Sequence, residues 1–418
     1  MATWSGLGQI WAITGETWDT VDVPVVGTKV EISATEGFIL DDPEAGVLDT
    51  SELGGTLFKD ITSALIELQV TRGKNRDLDR YSAGDLTVVL NNEDRAFDPL
   101  HTASPYFGDI VPRRDVRLTV DGVRQFTGVV DDWNLAYDPS GQSKAQLVAS
   151  DDFTLLARQQ LTPGTATPET SGERVATVLD MESVNWTKAR DLDTGSSMLG
   201  ADVFDGNALD YLNKVATSEQ GDVFVGKTGD LRFRGRLDAT PTSGSLITFA
   251  DDGTGVPYTR VSVNYGTELL FNTAEVTSDA GVATAINQTS RTQYGVSATN
   301  LDTLVSTVGQ LQNLADFTVA KYKDPEYRVD AIGMNVDTLS TGNRATVLGL
   351  ELGDVILLKF TPNGIGDPIE QYGQVIRLDS EITNDRHDVT IGLTSLDWTF
   401  LVLDDAVFGI LDTDHLAF

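Results

Sequence analysis

Residues 75–99 read NRDLDRYSAGDLTVVLNNEDRAFDP, and their order decides the fold: a charged loop, a glycine break, one strand and a tight Asn/Asp turn. Leu86, Val88 and Leu90 alternate with Thr87 and Val89, the two-residue period of a half-buried strand. Gly84 just ahead is expected to supply the positive φ of a sharp entry. Asn91, Asn92 and Asp94 are expected to turn the chain through side-chain-to-backbone hydrogen bonds. Phe97-Asp98-Pro99 then closes the unit with an apolar anchor and a stop. On these residues alone the block is a β-hairpin with ordinary turn chemistry, and no enzyme motif has this shape.

The flanking segments continue the theme. Val116 to Val120, Asp121-Gly122 and Phe126 to Val130 read as a hairpin on a type I′ turn. SEQGDVFV at 218–225, GDLRF at 229–233, YTRVSV at 258–263 and LELGDVI at 350–356 are further strand-and-turn units. Together with Asn75, Arg76, Ala83-Gly84, Asn91-Asn92 and Phe97-Asp98-Pro99, these segments resemble the minor tail or baseplate-hub proteins of long-tailed phages of actinobacteria. The resemblance runs from about residue 60 to about residue 400. It implies a mainly β fold with an α+β insertion, multidomain, with two β-barrel or sandwich-like domains of tail-tube type. It also implies a non-enzymatic hub at the tail tip, without a cofactor, assembling as a homotrimer around an axial channel. Expected partners are the distal tail protein, the tape-measure protein and other minor tail proteins. The expected location is the virion, after assembly in the host cytoplasm.

Composition bounds these expectations independently. A chain of 418 residues exceeds what one core usually serves, so two to four domains are expected. With 63 acidic and 30 basic residues the net charge is −33, and no basic stripe suited to nucleic acid occurs. Direct nucleic-acid binding is therefore not expected. The charge suits either a wall that DNA passes without sticking or a plain solubility device. The absence of cysteine excludes disulfides and thiol-ligated metals. Met1 to Gly6 lacks the features of a signal peptide, and no run of about 18 apolar residues suggests a membrane segment. Folding in a reducing cytosol is the expectation.

The expected organisation is an N-terminal arm over 1–62, with a strand such as Thr28 to Ser33, and a first hub β domain over 63–160. At its end Asp151-Asp152 offers an N-cap for a short helix carrying Leu155 and Leu156. Residues 162–168 read as a linker into a small α+β domain over 161–250. Its helices carry Val175, Val178 and Leu179, then Leu209, Leu212, Val215 and Ala216, with Gly221 at C′. A second hub β domain over 251–396 is expected to be interrupted once, by a helix carrying Leu304, Val308, Leu311, Ala315 and Tyr322 and stopped by Pro325. Residues 397–418 form a C-terminal strap. LDDPEAGVLDTSEL at 40–53 matches LDDAVFGILDTDHL at 403–416 in eight of fourteen positions. The pair reads as two copies of a docking element, Leu40, Asp41, Asp42 and Leu48 in one and Leu403, Asp404, Asp405 and Leu411 in the other, or as two similar acidic turns.

Catalytic groups are sparse. His101, His387 and His415 stand at no metal-ligand or triad spacing, and no Gly-rich phosphate loop of standard form occurs. DLDTG at 191–195 opens like a calcium loop but lacks its later glycine and glutamate, and reads as a turn. Trp4, Trp11 and Trp18 recur every seven residues, with intervening glycines that argue against a helix. They suit packing under a neighbouring subunit or a platform for sugar rings. The alternatives to a hub are thus a receptor- or glycan-binding tail protein and a tail-associated cell-wall hydrolase. The hydrolase would need a further catalytic domain.

Overall fold

The structure, a computed structural model, describes residues 27–34, 57–139, 141–236 and 246–396. The N-terminal half contributes strands β1 (Thr28–Ser33), β2 (Phe58–Asp60), β3 (Leu65–Gly73), β4 (Ser82–Asn91), β5 (Asp115–Val120), β6 (Val123–Ala136) and β7 (Lys144–Ser150). The C-terminal half contributes β8 (Ile247–Ala250), β9 (Arg260–Tyr265), β10 (Tyr327–Asn335), β11 (Val355–Phe360), β12 (Ile369–Thr383) and β13 (Arg386–Ser395). All thirteen join one sheet in the order β9-β10-β13-β12-β3-β4-β7-β6-β5-β1-β2, with β11 and β8 branching from β12.

Strand β12 makes this joining possible because it is 15 residues long. Its far edge carries β13. Its near edge pairs with β11 over Ile369 to Gln374 and with β3 over Arg377 to Thr383. The seam between the two halves is therefore a continuous ladder of backbone hydrogen bonds. The chain is mainly β with an α+β insertion, as expected. Among the described residues the large sheet stays open, because its end strands β9 and β2 do not pair with each other.

Alternation sets the core as read from the sequence: Leu86, Val88 and Leu90 are wholly buried and pack with Ala145, Leu147 and Ala149 of the neighbouring strand β7. The hairpin between β5 and β6 turns on Asp121 (φ 49°) and Gly122 (φ 79°), the two positive dihedrals of a type I′ turn.

The insertion begins with α1 (Phe153–Leu156), whose first turn is held by Asp151 Oδ1 accepting from Phe153 N at 3.0 Å, while Asp152 makes no capping bond. Residues 162–168 are not a bare linker: Gly164–Ala166 pairs antiparallel with Asp202–Phe204. Helix α2 (Ser171–Leu179) opens on a Thr170/Glu173 capping box, and α3 (Ala208–Glu219) on Asn207. Helix α3 ends with Gln220, not Gly221, in the left-handed region (φ 53°). Gly221 is required for a different reason, since a Cβ there would lie 2.2 Å from the Arg234 carbonyl. Residues 191–195 are not a simple turn: Asp191 and Leu192 belong to a short strand, Arg190–Leu192, parallel to Leu231–Phe233, and both Asp191 and Asp193 pair with Arg234.

Helices interrupt the last section three times, not once: α4 (Gln288–Tyr294), α5 (Val308–Tyr322) and α6 (Thr341–Gly349). Strands Thr273–Ser278, Gly281–Ile286 and Ala298–Asp302 form a separate sheet. With α5 they enclose a second small core around Val276, Leu311 and Leu314. These strands are built of Ala, Thr and Val and pair partly in parallel, so their sequence signal is weak. Leu304 precedes α5 and does not belong to it. Among the described residues no helix is long and apolar enough to cross a membrane.

Candidate functional site

The same alternation that buries one face of the large sheet leaves the other polar. Cross-strand register places Asp132, Val148, Thr87, Gln69, Glu381 and Asp388 in one row across β6, β7, β4, β3, β12 and β13. The adjacent row runs Ser150, Asp85, Thr71, Asp379 and Thr390, and Glu67 lies beyond, opposite Thr383. Asp132, Asp85, Glu67 and Glu381 are exposed. Burial, then the nearby Asp131 charge, pushes the Asp85 carboxyl up; burial does the same at Asp379 against the pull of Arg377. Of the arginines toward one end, Arg386 pairs with Glu381 at 3.2 Å and Arg377 with Asp379 at 2.8 Å, whereas Arg260, in the row of Gly333 and Thr390, is exposed and makes no ion pair among the described residues. The face is predominantly acidic across its middle strands, with exposed Lys144 at the end of β7 and Arg260 on β9 toward its rim. A depression of about 560 Å³ indents it from β3 across β12, β13 and β10 to Arg260 on β9.

On the opposite side, the charged loop found in the sequence is the point where the chain's sections meet. Leu68, Val70 and Arg72 share one inward parity of β3, and all are buried. Arg72 Nη2 donates to Glu351 Oε1 at 2.7 Å and to the Val225 carbonyl at 3.0 Å. Glu351 Oε2 in turn accepts from Lys227 N at 2.8 Å. One guanidinium thus ties the first β section, the insertion and the last section together. Lys74 pairs with Asp222 at 2.6 Å. Asp77 accepts from Tyr322 Oη at 2.5 Å and pairs with Lys321 at 2.8 Å. Burial alone would raise the Asp77 carboxyl, but Lys321 and Lys74 outweigh it and hold it well below the usual range.

The flagged loop residues take part. Asn75 Oδ1 accepts from Arg377 Nη1 at 3.0 Å, and Arg76 pairs with Glu268 at 2.7 Å. Gly84 lies inside β4 and is not among the positive-φ residues, which corrects the expected sharp entry. A Cβ there would come within 2.9 Å of Arg72 Cγ and 3.0 Å of Asp151 Oδ2, and its N–H donates to that oxygen at 2.7 Å. Close approach is what requires glycine. Burial pushes Asp151 up to about 7, against the N–H donors of Gly84 and Phe153 that favour its charged form.

The Asn/Asp turn forms as read. Asn91, Asn92 and Asp94 accept from the backbone N–H of Glu93, Phe97 and Ala96, each at 2.9 Å. Phe97 is buried against Tyr106 and Trp133. Asp98, just before Pro99, accepts from Arg95, which holds its carboxyl below the usual range, and from Leu100 N at 2.8 Å. Leu40, Asp41, Asp42, Leu48, Leu403, Asp404, Asp405 and Leu411 lie outside the described residues, as do Trp4, Trp11, Trp18 and His415. The junction roles of Arg72 and Glu351 were missed by sequence reasoning, and Asp151 was read as a helix cap, which it is, but not as the acceptor for Gly84. A charge at an inward strand parity was the signal that marked Arg72.

His387 is fully buried, its Nε2 2.6 Å from Ser380 Oγ, and burial pushes its pKa down to about 4. It is neutral when folded and charged in the unfolded chain below its ordinary pKa of about 6.5. Stability is therefore complete above that pH and lost as pH falls toward 4, by about 3 kcal/mol. Asp151, with its raised pKa, works oppositely in this window. The measurable quantity is thus the stability difference between the native chain and His387→Gln in urea titrations at pH 7.5 and pH 4. That difference should shift by roughly 3 kcal/mol in favour of His387→Gln at the lower pH. A difference constant with pH would reject the buried neutral imidazole.

An open antiparallel sheet spanning both halves, with an α+β insertion clamped over its seam, defines a fold shared with known tail proteins. No protein-family profile matches the sequence, and no curated protein matches it either. Solved structures do match. The tail protein from Neisseria meningitidis MC58 gives a TM-score of 0.57 at 12% identity, over 88% of this chain and 96% of that one. The 43 kDa tail protein of prophage MuSo2 from Shewanella oneidensis gives 0.52 at 13% identity, over 82% of this chain and 94% of that one. At such identities the likeness is one of fold.

Proposed function

We propose that this chain is a structural tail protein of a long-tailed phage, the hub at the tail tip, assembling as a homotrimer with its acidic sheet face turned to an axial channel. The observation that carries the reading is that face. Over the middle strands of that face phosphates meet carboxylates and paired arginines, which repel them and leave little counterion release to gain, so DNA adheres poorly there. Fold likeness over nearly the whole length of two tail proteins supports the same reading. Among the described residues the outer edges of β9 and β2 carry no partner strand, which favours closure against further copies, because exposed edges invite stray pairing and cyclic closure suits a tube end. The resemblance of the 75–99 block points to phages of actinobacteria, with distal tail, tape-measure and other minor tail proteins as neighbours. No residue is assigned a catalytic role.

Mass photometry and negative-stain images of the purified full chain test this reading. A trimeric ring with a central hole is expected, with interfaces above roughly 1,000 Å². A stable monomer within the assembled tail, or a channel lined by Lys and Arg, would sink it. Tight glycan binding by a monomer would instead favour a receptor-binding protein.

A further inference from the structure

Both ends of the large sheet carry exposed aromatic side chains, and the free charges beside them are opposite in sign. At the β2 end stands the loop 98–113. Successive turns hold it: His101 N–H donates to the Asp98 carbonyl at 3.0 Å, Ser104 N–H to that of His101 at 3.0 Å, and Phe107 N–H to that of Ser104 at 3.1 Å. Tyr106 Oη donates to the Asp60 carbonyl at 3.1 Å and Lys59 pairs with Asp109 at 2.8 Å, which fixes the loop to β2. From this ordered loop Phe107 stays 50% exposed, and Val111 is exposed as well. Arg113 ends it in the left-handed region (φ 70°), a conformation that is costly for a residue other than glycine and clusters at functional positions. Its side chain is exposed and makes no ion pair among the described residues.

At the β9 end, Tyr265 and its cross-strand partner Tyr327 are 69% and 42% exposed. On the polar side of the same two strands a depression of about 410 Å³ is lined by Asn264, Glu268, Arg328 and Asp330 among others. Glu268 pairs with Arg76 and Arg328 with Glu326. Asp330 is exposed and makes no ion pair among the described residues. Partial burial, then the like charge of Glu268, pushes its carboxyl up, so a cation arriving there is favoured. We propose that loop 98–113 of one copy docks on the β9 end of the next, with Phe107 and Val111 against Tyr265 and Tyr327 and Arg113 beside Asp330. The occupant is a second copy because the two surfaces complement each other, aromatic to aromatic and cation to carboxylate, while each stays exposed within one chain. Two different patches in contact close into a ring where the rotation permits. The inference rests on the hub reading above and names the residues of its interface.

The chain has no cysteine, so introduced thiols report contacts without background. The full chain carrying Phe107→Cys and Tyr265→Cys, treated with a short bis-maleimide and run on a denaturing gel, is expected to give covalent dimers and trimers. Neither single variant should give trimers. In mass photometry Arg113→Glu should weaken assembly about tenfold or more, because it sets like charges against each other. Adding Asp330→Arg should restore it. Arg113 and Asp330 are both exposed, so thermal melts of these variants should match the native chain, and rescue by the charge swap separates contact from misfolding. A native chain that stays monomeric would overturn the hub reading and the docking together. A native trimer that does not crosslink between 107 and 265, or that is indifferent to Arg113→Glu, would overturn the docking alone.

Discussion

Arg72→Met is expected to cost about 3–5 kcal/mol, because it strands a carboxylate in the core. The side chains of Arg72 and Glu351 are 5% and 7% exposed, so water cannot replace the lost partner. Glu351 would keep only the N–H donors of Lys227 and Leu352. Met keeps the bulk of the Arg stem, so the loss reports charge and not a cavity. Urea unfolding at pH 7 measures it. Arg72→Met combined with Glu351→Gln removes both charges while leaving an acceptor for one of those two donors, and should recover much of the loss, since a buried pair replaced as a unit is often nearly neutral. A single-variant loss under about 1 kcal/mol, the range of surface pairs, would reject the junction's role.

Phe97→Ala is expected to cost a similar 3–5 kcal/mol, for a steric reason. Phe97 is 1% exposed and stacks between Tyr106, with centroids 5.1 Å apart, and Trp133, at 6.0 Å. Its truncation leaves a cavity between two rings held by different parts of the chain, on the loop after β4 and on β6. The turn above loses its anchor too, because Asn92 Oδ1 is positioned to accept from the Phe97 N–H. Phe97→Leu should recover about half of the loss by refilling volume. A thermal midpoint for Phe97→Ala within about a degree or two of the native chain would show that the site collapses without cost.

Much of the local structure was legible because its causes lie within a few residues. The alternation of Leu86, Val88 and Leu90, the Asp121-Gly122 turn and the Asn91-Asn92-Asp94 bonds depend on pleat geometry and short side-chain reach. The glycines were less legible. Gly84 and Gly221 read as conformational residues, but each is set by a distant atom, Asp151 Oδ2 in one case and the Arg234 carbonyl in the other.

What the sequence determined by itself was the strands around 86–90, 116–130 and 388–393, the Asn91-Asn92-Asp94 and Asp121-Gly122 turns, the helices at 171–179, 208–219 and 308–322, and the overall negative charge. Only the tertiary structure decided that the two β sections share one sheet through β12 and β3, which pair across some 300 residues of chain. It alone aligned Asp132, Glu381 and Asp388 in one row, and it brought Arg72 to Glu351. The reason is physical. Period and turn chemistry act along the chain and leave their mark in neighbouring residues. The choice of partner strand is made by burying the apolar face of the whole assembly at once, so no short stretch of sequence records it.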